Sequence, residues 1–117
     1  MSEGIQTVIY PVHNVEVTKQ LLTAVLGTEP YVDAPFYVGF RVGDQEIGLD
    51  PNGHSQGLTG PVPYVEVADI NATFEHLIDA GAEGVQQPRD VGQGKLVASV
   101  KDPDGNMIGI MHTPQDG

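Results

Sequence analysis

The chain repeats itself, and this constrains its fold more than any other feature. Val12, Asn14, Val15, Thr18 and Leu22 fall on Val67, Asp69, Ile70, Thr73 and Leu77 at one offset (67 − 12 = 55). Ile47-Gly48-Leu49 falls on Ile108-Gly109-Ile110 at a slightly larger one (108 − 47 = 61), which places an insertion in the later turns of the second copy. A duplicated unit folds the same way twice, so a weak local signal in one half is checked by its counterpart in the other.

The unit itself is readable. In the first half, Thr7 to Val12 is an apolar, β-prone run, and Asn14 follows as an N-cap with Glu16 in the first turn. Val15, Thr18, Leu21, Leu22, Val25 and Leu26 recur at helical spacing, and Gly27 stops the helix. Strands are predicted at Pro30 to Asp33, Phe36 to Val42 and Glu46 to Asp50, with Gly43-Asp44 as a hairpin turn. The Gly-rich loop from Pro51 to Gly60 marks the boundary between the halves. In the second half, Pro63 to Val67 is a strand and Asp69 caps a helix that ends at Gly81. Strands are predicted at Glu83 to Gln87, Lys95 to Val100 and Met107 to Met111, the last two joined by the reverse turn Asp102-Pro103-Asp104-Gly105-Asn106. The expected fold is α+β: two βαβββ modules, about residues 5–51 and 61–112, forming a cup-shaped mixed sheet with the helices on its outer face. With 117 residues, the two modules make a single domain.

Charge narrows the partners. Sixteen acids against five bases leave a net charge of −11, which repels phosphate backbones, so nucleic-acid binding is not expected. No apolar run is long enough to span a membrane. The N-terminus lacks a basic patch followed by an apolar stretch, so no secretory signal is expected, and the chain has no cysteine to serve as nucleophile or thiolate ligand. These features suit a cytoplasmic protein.

The strand–Val–x–Asn/Asp–helix motif, present twice, and Asp102-Pro103-Asp104-Gly105-Asn106 before the last strand together resemble the vicinal oxygen chelate superfamily (glyoxalase, bleomycin-resistance and extradiol dioxygenase proteins). The resemblance covers essentially the whole chain. It implies a paired βαβββ cup, a homodimer, a small-molecule ligand and, in most of the superfamily's enzymes, a divalent metal held by one side chain on the first and one on the last strand of each half. Carried over, those four positions are Thr7, Gly48, Val62 and Gly109. Glycine and valine offer no donor atom and a lone hydroxyl is a poor ligand, so no metal is expected at the usual positions. A site shifted two residues along the strands, onto Glu46, Asp50 and Glu66, would suit a hard ion.

Alternation along the strands divides the two faces of the sheet. Val8, Phe36, Val38, Phe40, Val42, Ile47, Leu49, Val65, Val67, Leu96, Ala98, Val100, Ile108 and Ile110 form an apolar face expected under the helices. The opposite face carries Thr7, Ile9, Tyr37, Arg41, Glu46, Gly48, Asp50, Val62, Tyr64, Glu66, Val97, Ser99, Met107, Gly109 and Met111, a mixture suited to a concave pocket. Glycines at two of the four positions are expected to leave room for a ligand. Tyr37 and Tyr64 are candidate stacking walls, with Ser99, Met107 and Met111 beside them. Arg41 is either a clamp for an anionic group or the ion-pair partner of Glu46 across the hairpin. Glu66 and Asp50 are candidate general bases, against the ordinary alternative of exposed strand carboxylates. His54, in the Gly-rich loop, is placed to lean over the pocket mouth, where it would make a minimal metal pair with Asp50; His13, His76 and His112 are surface residues by default.

Two functions follow. One is a metal-free binding protein that sequesters or carries a small ring-bearing molecule, with the acidic charge favouring a cationic ligand and Arg41 arguing the other way for one end of it. The other is a lyase or isomerase in which Glu66 or Asp50 moves a proton and Arg41 or Tyr64 stabilises the developing oxyanion.

Overall fold

The computed structural model describes residues 4–114; the start of the N-terminal segment read above for a signal lies outside the described residues. Its elements run in two identical series. The first is β1 (Ile5–Pro11), α1 (Val15–Leu26), β2 (Val32–Ala34), β3 (Tyr37–Val42) and β4 (Gln45–Asp50). The second is β5 (Val62–Glu66), α2 (Ile70–Asp79), β6 (Glu83–Asp90), β7 (Leu96–Lys101) and β8 (Met107–His112), with a 3₁₀ turn at His54–Gln56 between the series.

Both helices start as the sequence dictates. The Asn14 side chain accepts from the Val17 amide, and Asp69 from the Ala72 amide, each satisfying a first-turn N–H that the helix leaves unpaired. α1 ends on Gly27 in the left-handed region, whereas α2 is capped by Ala80 with Gly81 one residue beyond.

The eight strands form one sheet in the order β2-β3-β4-β1-β5-β8-β7-β6. In each half the first and last strands pair in parallel, and the halves join through antiparallel β1 and β5. The ladder registers agree with the repeat: Ile9 faces Gly48 as Tyr64 faces Gly109, so the offsets are again 64 − 9 = 55 and 109 − 48 = 61. Val38, Phe40 and Leu49 pack with Val15, Leu22 and Leu26 of α1. Ala98, Val100 and Ile110 pack with Ile70, Phe74 and Leu77 of α2. The apolar face thus lies under the helices, leaving the other face as the inside of a cup. No helix among the described residues is long and apolar enough to cross a membrane.

Two sequence expectations fail, each for its own reason. Phe36 is not in a strand but in the two-residue turn between β2 and β3, where the two-residue period does not apply, and its ring is 70% exposed on the cup side. β6 does not stop at Gln87; it runs through Pro88 to Asp90. Because β6 is an edge strand, the missing Pro88 N–H costs no ladder bond that an inner neighbour needs. Register shifts between Gly84 and Gln86 and between Gln86 and Arg89 bend this edge.

Candidate functional site

A cavity of about 450 Å³ opens on the concave face, walled by both halves of the one chain. The first half contributes Thr7, Ile9, Tyr31, Phe36, Tyr37, Glu46 and Asp50, and the 3₁₀ turn adds Gln56 and then Leu58. The second contributes Tyr64, Gln86, Arg89, Val91, Lys95, Val97 and Met111. Five of the residues singled out from the sequence line it: Tyr37, Glu46, Asp50, Tyr64 and Met111.

Glu46 is the best-satisfied group in the wall. Its Oε1 accepts from Tyr31 Oη at 2.6 Å and Arg41 Nη2 at 2.9 Å, and its Oε2 accepts from Tyr37 Oη at 2.5 Å. Burial by itself pushes this carboxyl up, but the two tyrosine hydroxyls and the guanidinium outweigh it and hold the carboxyl below its ordinary value. The same contact, added to burial as the larger cause, raises Tyr37 far above an ordinary phenol. Tyr64 is pushed up to about 12 by burial. Both rings therefore stand as neutral walls over the whole physiological range.

The rings also fill the space that glycine was expected to leave. A Cβ on Gly48 would lie 2.6 Å from Tyr37 Cε1, and one on Gly109 would lie 2.7 Å from Tyr64 Cε2. Neither glycine has a positive φ, so sterics alone require glycine there. The room belongs to the tyrosines and not to a ligand.

The other candidates are not in the cavity lining. Arg41 sits beside it, pairing with Glu46 across the β3–β4 hairpin and lying 4.5 Å over the Tyr31 ring, so of its two readings the ion pair is the one the structure contains. Glu66 is at the end of β5, where its two oxygens accept from the Thr113 N–H at 2.8 Å and the Thr113 hydroxyl at 2.9 Å. His54 stacks on His13 with ring centroids 4.0 Å apart, which turns it onto the end of β1. Met107 is buried with Val62, Tyr64 and Leu58. Ser99 is fully buried and donates to Gln86 Oε1 at 3.2 Å.

The family model of the glyoxalase/bleomycin resistance protein/dioxygenase superfamily matches residues 4–110. The chain belongs to this superfamily. No curated protein matches it. Among solved structures, another glyoxalase/bleomycin resistance protein/dioxygenase superfamily member, from Vibrio splendidus 12B01, superposes with a TM-score of 0.69 at 14% identity, covering 97% of this chain and 100% of that one. A Legionella pneumophila protein described as an NAD-dependent benzaldehyde dehydrogenase gives 0.70 at 18% identity, covering 92% and 98%. A Streptomyces coelicolor methylmalonyl-CoA epimerase variant in complex with 2-nitronate-propionyl-CoA gives 0.66 at 16% identity, covering 98% and 100%. At such identities the likeness establishes the fold, and one scaffold hosts many chemistries.

Within this superfamily fold, the cavity owes its polar second half to residues the sequence did not single out. Arg89 comes from the stretch of β6 beyond Pro88, and Val91 and Lys95 from the β6–β7 hairpin, whose Gly92, Gln93 and Gly94 all have positive φ. Gln56 Oε1 accepts from both Gln86 Nε2 and Arg89 Nη2, each at 3.2 Å. The one signal available was charge: Arg89 and Lys95 are two of only five bases in the chain.

Proposed function

We propose that this superfamily member is a cytoplasmic homodimer that binds a small organic molecule in its cup by direct side-chain contact. Its role is to sequester or carry that molecule, without a divalent metal at the four strand positions that the resemblance assigns to ligands. The reading is carried by the filling of two of those positions. Side chains at Gly48 and Gly109 would run into Tyr37 and Tyr64, so neither position can project a donor without rebuilding the wall. Thr7 and the fully buried Val62 complete the set. Divalent ions need several imidazole or carboxylate groups converging on one point, and one hydroxyl does not fit that requirement.

The shifted set has little better support. Glu46 already accepts three hydrogen bonds and Glu66 is spent on Thr113, which leaves Asp50 as the one member free to face a guest in the cavity. The lyase or isomerase alternative narrows in the same way, to Asp50 as base. The walls themselves suit an organic guest: Ile9, Leu58, Val97 and Met111 supply apolar surface, and Tyr37 and Tyr64 supply flat faces for stacking. All of these come from one chain.

Protein-observed NMR with a panel of aromatic fragments, in the presence of chelator, tests the proposal. Shifts concentrated on Tyr37, Tyr64, Gln86, Val97 and Met111, with an affinity independent of protein concentration, are expected. Shifts scattered over the helices, or binding that appears only when metal is restored, would contradict it.

A further inference from the structure

The geometry points to an amphipathic organic anion as the guest, its oxyanion group held by Arg89 and Lys95. This rests on the cavity-binding reading and specifies the ligand class for it. In a chain with sixteen acids and five bases, a cation is expected to find a carboxylate. Lys19 does so, with Glu16 and Asp33, and Arg41 does so with Glu46. Arg89 and Lys95 form no ion pair among the described residues, yet both line the cavity.

The support around Arg89 keeps its charge available. The guanidinium is oriented by the neutral carboxamide of Gln56. That carboxamide is tied to Gln86, and Gln86 to the fully buried hydroxyl of Ser99, so the chain of hydrogen bonds is anchored in the core. A guanidinium positioned by a neutral acceptor retains both its net charge and donors for a planar or tetrahedral oxyanion. The acids of the same cavity do not cancel this. Glu46 is neutralised by Arg41 and by two tyrosine hydroxyls, which leaves Asp50 as the one cavity carboxylate without an ion pair among the described residues, set against the two cations Arg89 and Lys95. The same cavity is lined by the exposed side chains of Phe36 and Val91, which would cover an apolar body. The protein's overall charge favours a cationic ligand, but the local field at the site is of the opposite sense, and at contact distance the local groups dominate over screened remote charges.

A matched pair of fluorescent probes tests this: 1-anilinonaphthalene-8-sulfonate, and N-phenyl-1-naphthylamine, which has the same body without the sulfonate. The ratio of their affinities, sulfonate over neutral, is expected to fall at least tenfold in the R89Q/K95Q double variant. It should stay within twofold in K101Q, which removes one positive charge outside the cavity. Competition then separates the oxyanion types: 1-naphthaleneacetate or 1-naphthyl phosphate, or both, displace the bound sulfonate. An unchanged ratio in R89Q/K95Q, or no displacement by either competitor, overturns the inference while binding of the neutral probe leaves the cavity reading intact. Failure of both probes to bind overturns the two together.

Discussion

Tyr64 lies over Gly109, its partner across the parallel β5–β8 ladder, and occupies the space into which any side chain at that position would project. Gly48, the equivalent residue of the first half, is covered by Tyr37 from the neighbouring strand β3, where the second half has Val97 on β7. The backbone is duplicated but the filling is not. Gly109 is covered by the residue it pairs with directly, whereas Gly48 pairs with Gly39 and is covered by Tyr37 of that same adjacent strand, and the two tyrosines together form much of the cup's wall.

Gly109→Ala is therefore expected to destabilise the fold by about 1–3 kcal/mol through overpacking. In a Tyr64→Ala background the same substitution should cost less than about 0.5 kcal/mol, because the obstructing ring is gone. Denaturant titration of the four proteins measures the coupling. Equal costs in both backgrounds would show that the ring does not set the requirement for glycine.

Glu46→Gln should cost about 1–3 kcal/mol near neutral pH, since a carboxylate accepting from Tyr31, Tyr37 and Arg41 is replaced by an amide that must turn an N–H toward one of them. The Glu46 carboxyl is held below its ordinary value of 4.5, so its contribution is fully present above that pH and is lost as the pH falls through its folded value. The stability difference between wild type and variant should accordingly shrink below about pH 4.5. A difference independent of pH would remove the charge from the explanation.

The two wall tyrosines titrate in the opposite direction. Burial raises Tyr64 to about 12, and burial together with the bond to Glu46 raises Tyr37 further, against an ordinary value of 10.0. Their stabilisation is complete below pH 10 and is lost as the pH rises through the folded values. Tyrosinate absorbance should therefore lag behind that of the unfolded chain above pH 10, and Tyr64→Phe should remove part of the late rise. A complete rise near pH 10 in folded protein would contradict the burial argument.

Glu66→Gln is expected to leave probe affinity within twofold while loosening the segment that follows β8, because Glu66 binds the Thr113 backbone and hydroxyl and does not line the cavity. Amide exchange at Thr113 together with a probe titration checks both halves of this expectation. A tenfold loss of affinity with unchanged exchange would return Glu66 to the cavity.

The fold was legible because its strongest signals are local and occur twice. Asn14 and Asp69 each cap a helix, and alternation assigned Val38, Phe40, Leu49, Ala98, Val100 and Ile110 to the helix side. The wall positions of Tyr37, Glu46, Asp50, Tyr64 and Met111 follow from the same parity. Parity says which face a residue joins, but not how far along the strand the cavity extends, and so Glu66, Ser99 and Met107 were grouped with it. It misleads or is silent outside strands: Phe36 and Lys95, read from the sequence as strand residues, lie just outside β3 and β7, and Gln56 and Val91 lie in no strand at all. Arg89 was hidden by Pro88, which reads as a strand stop unless the strand is known to be an edge. That Tyr37 and Tyr64 fill the space over two glycines depends on side-chain direction across a ladder, and no one-dimensional pattern encodes it.

The most direct test of the central claim is calorimetric titration of chelator-treated, untagged protein with Mg²⁺, Mn²⁺, Ni²⁺ and Zn²⁺, paired with elemental analysis of the protein as purified. The account predicts substoichiometric metal, no saturable heat at micromolar ion, and a melting temperature that chelator does not change. One equivalent of bound metal, together with a melting temperature lowered by chelator, would contradict it and would point to the shifted carboxylates Glu46, Asp50 and Glu66 as ligands.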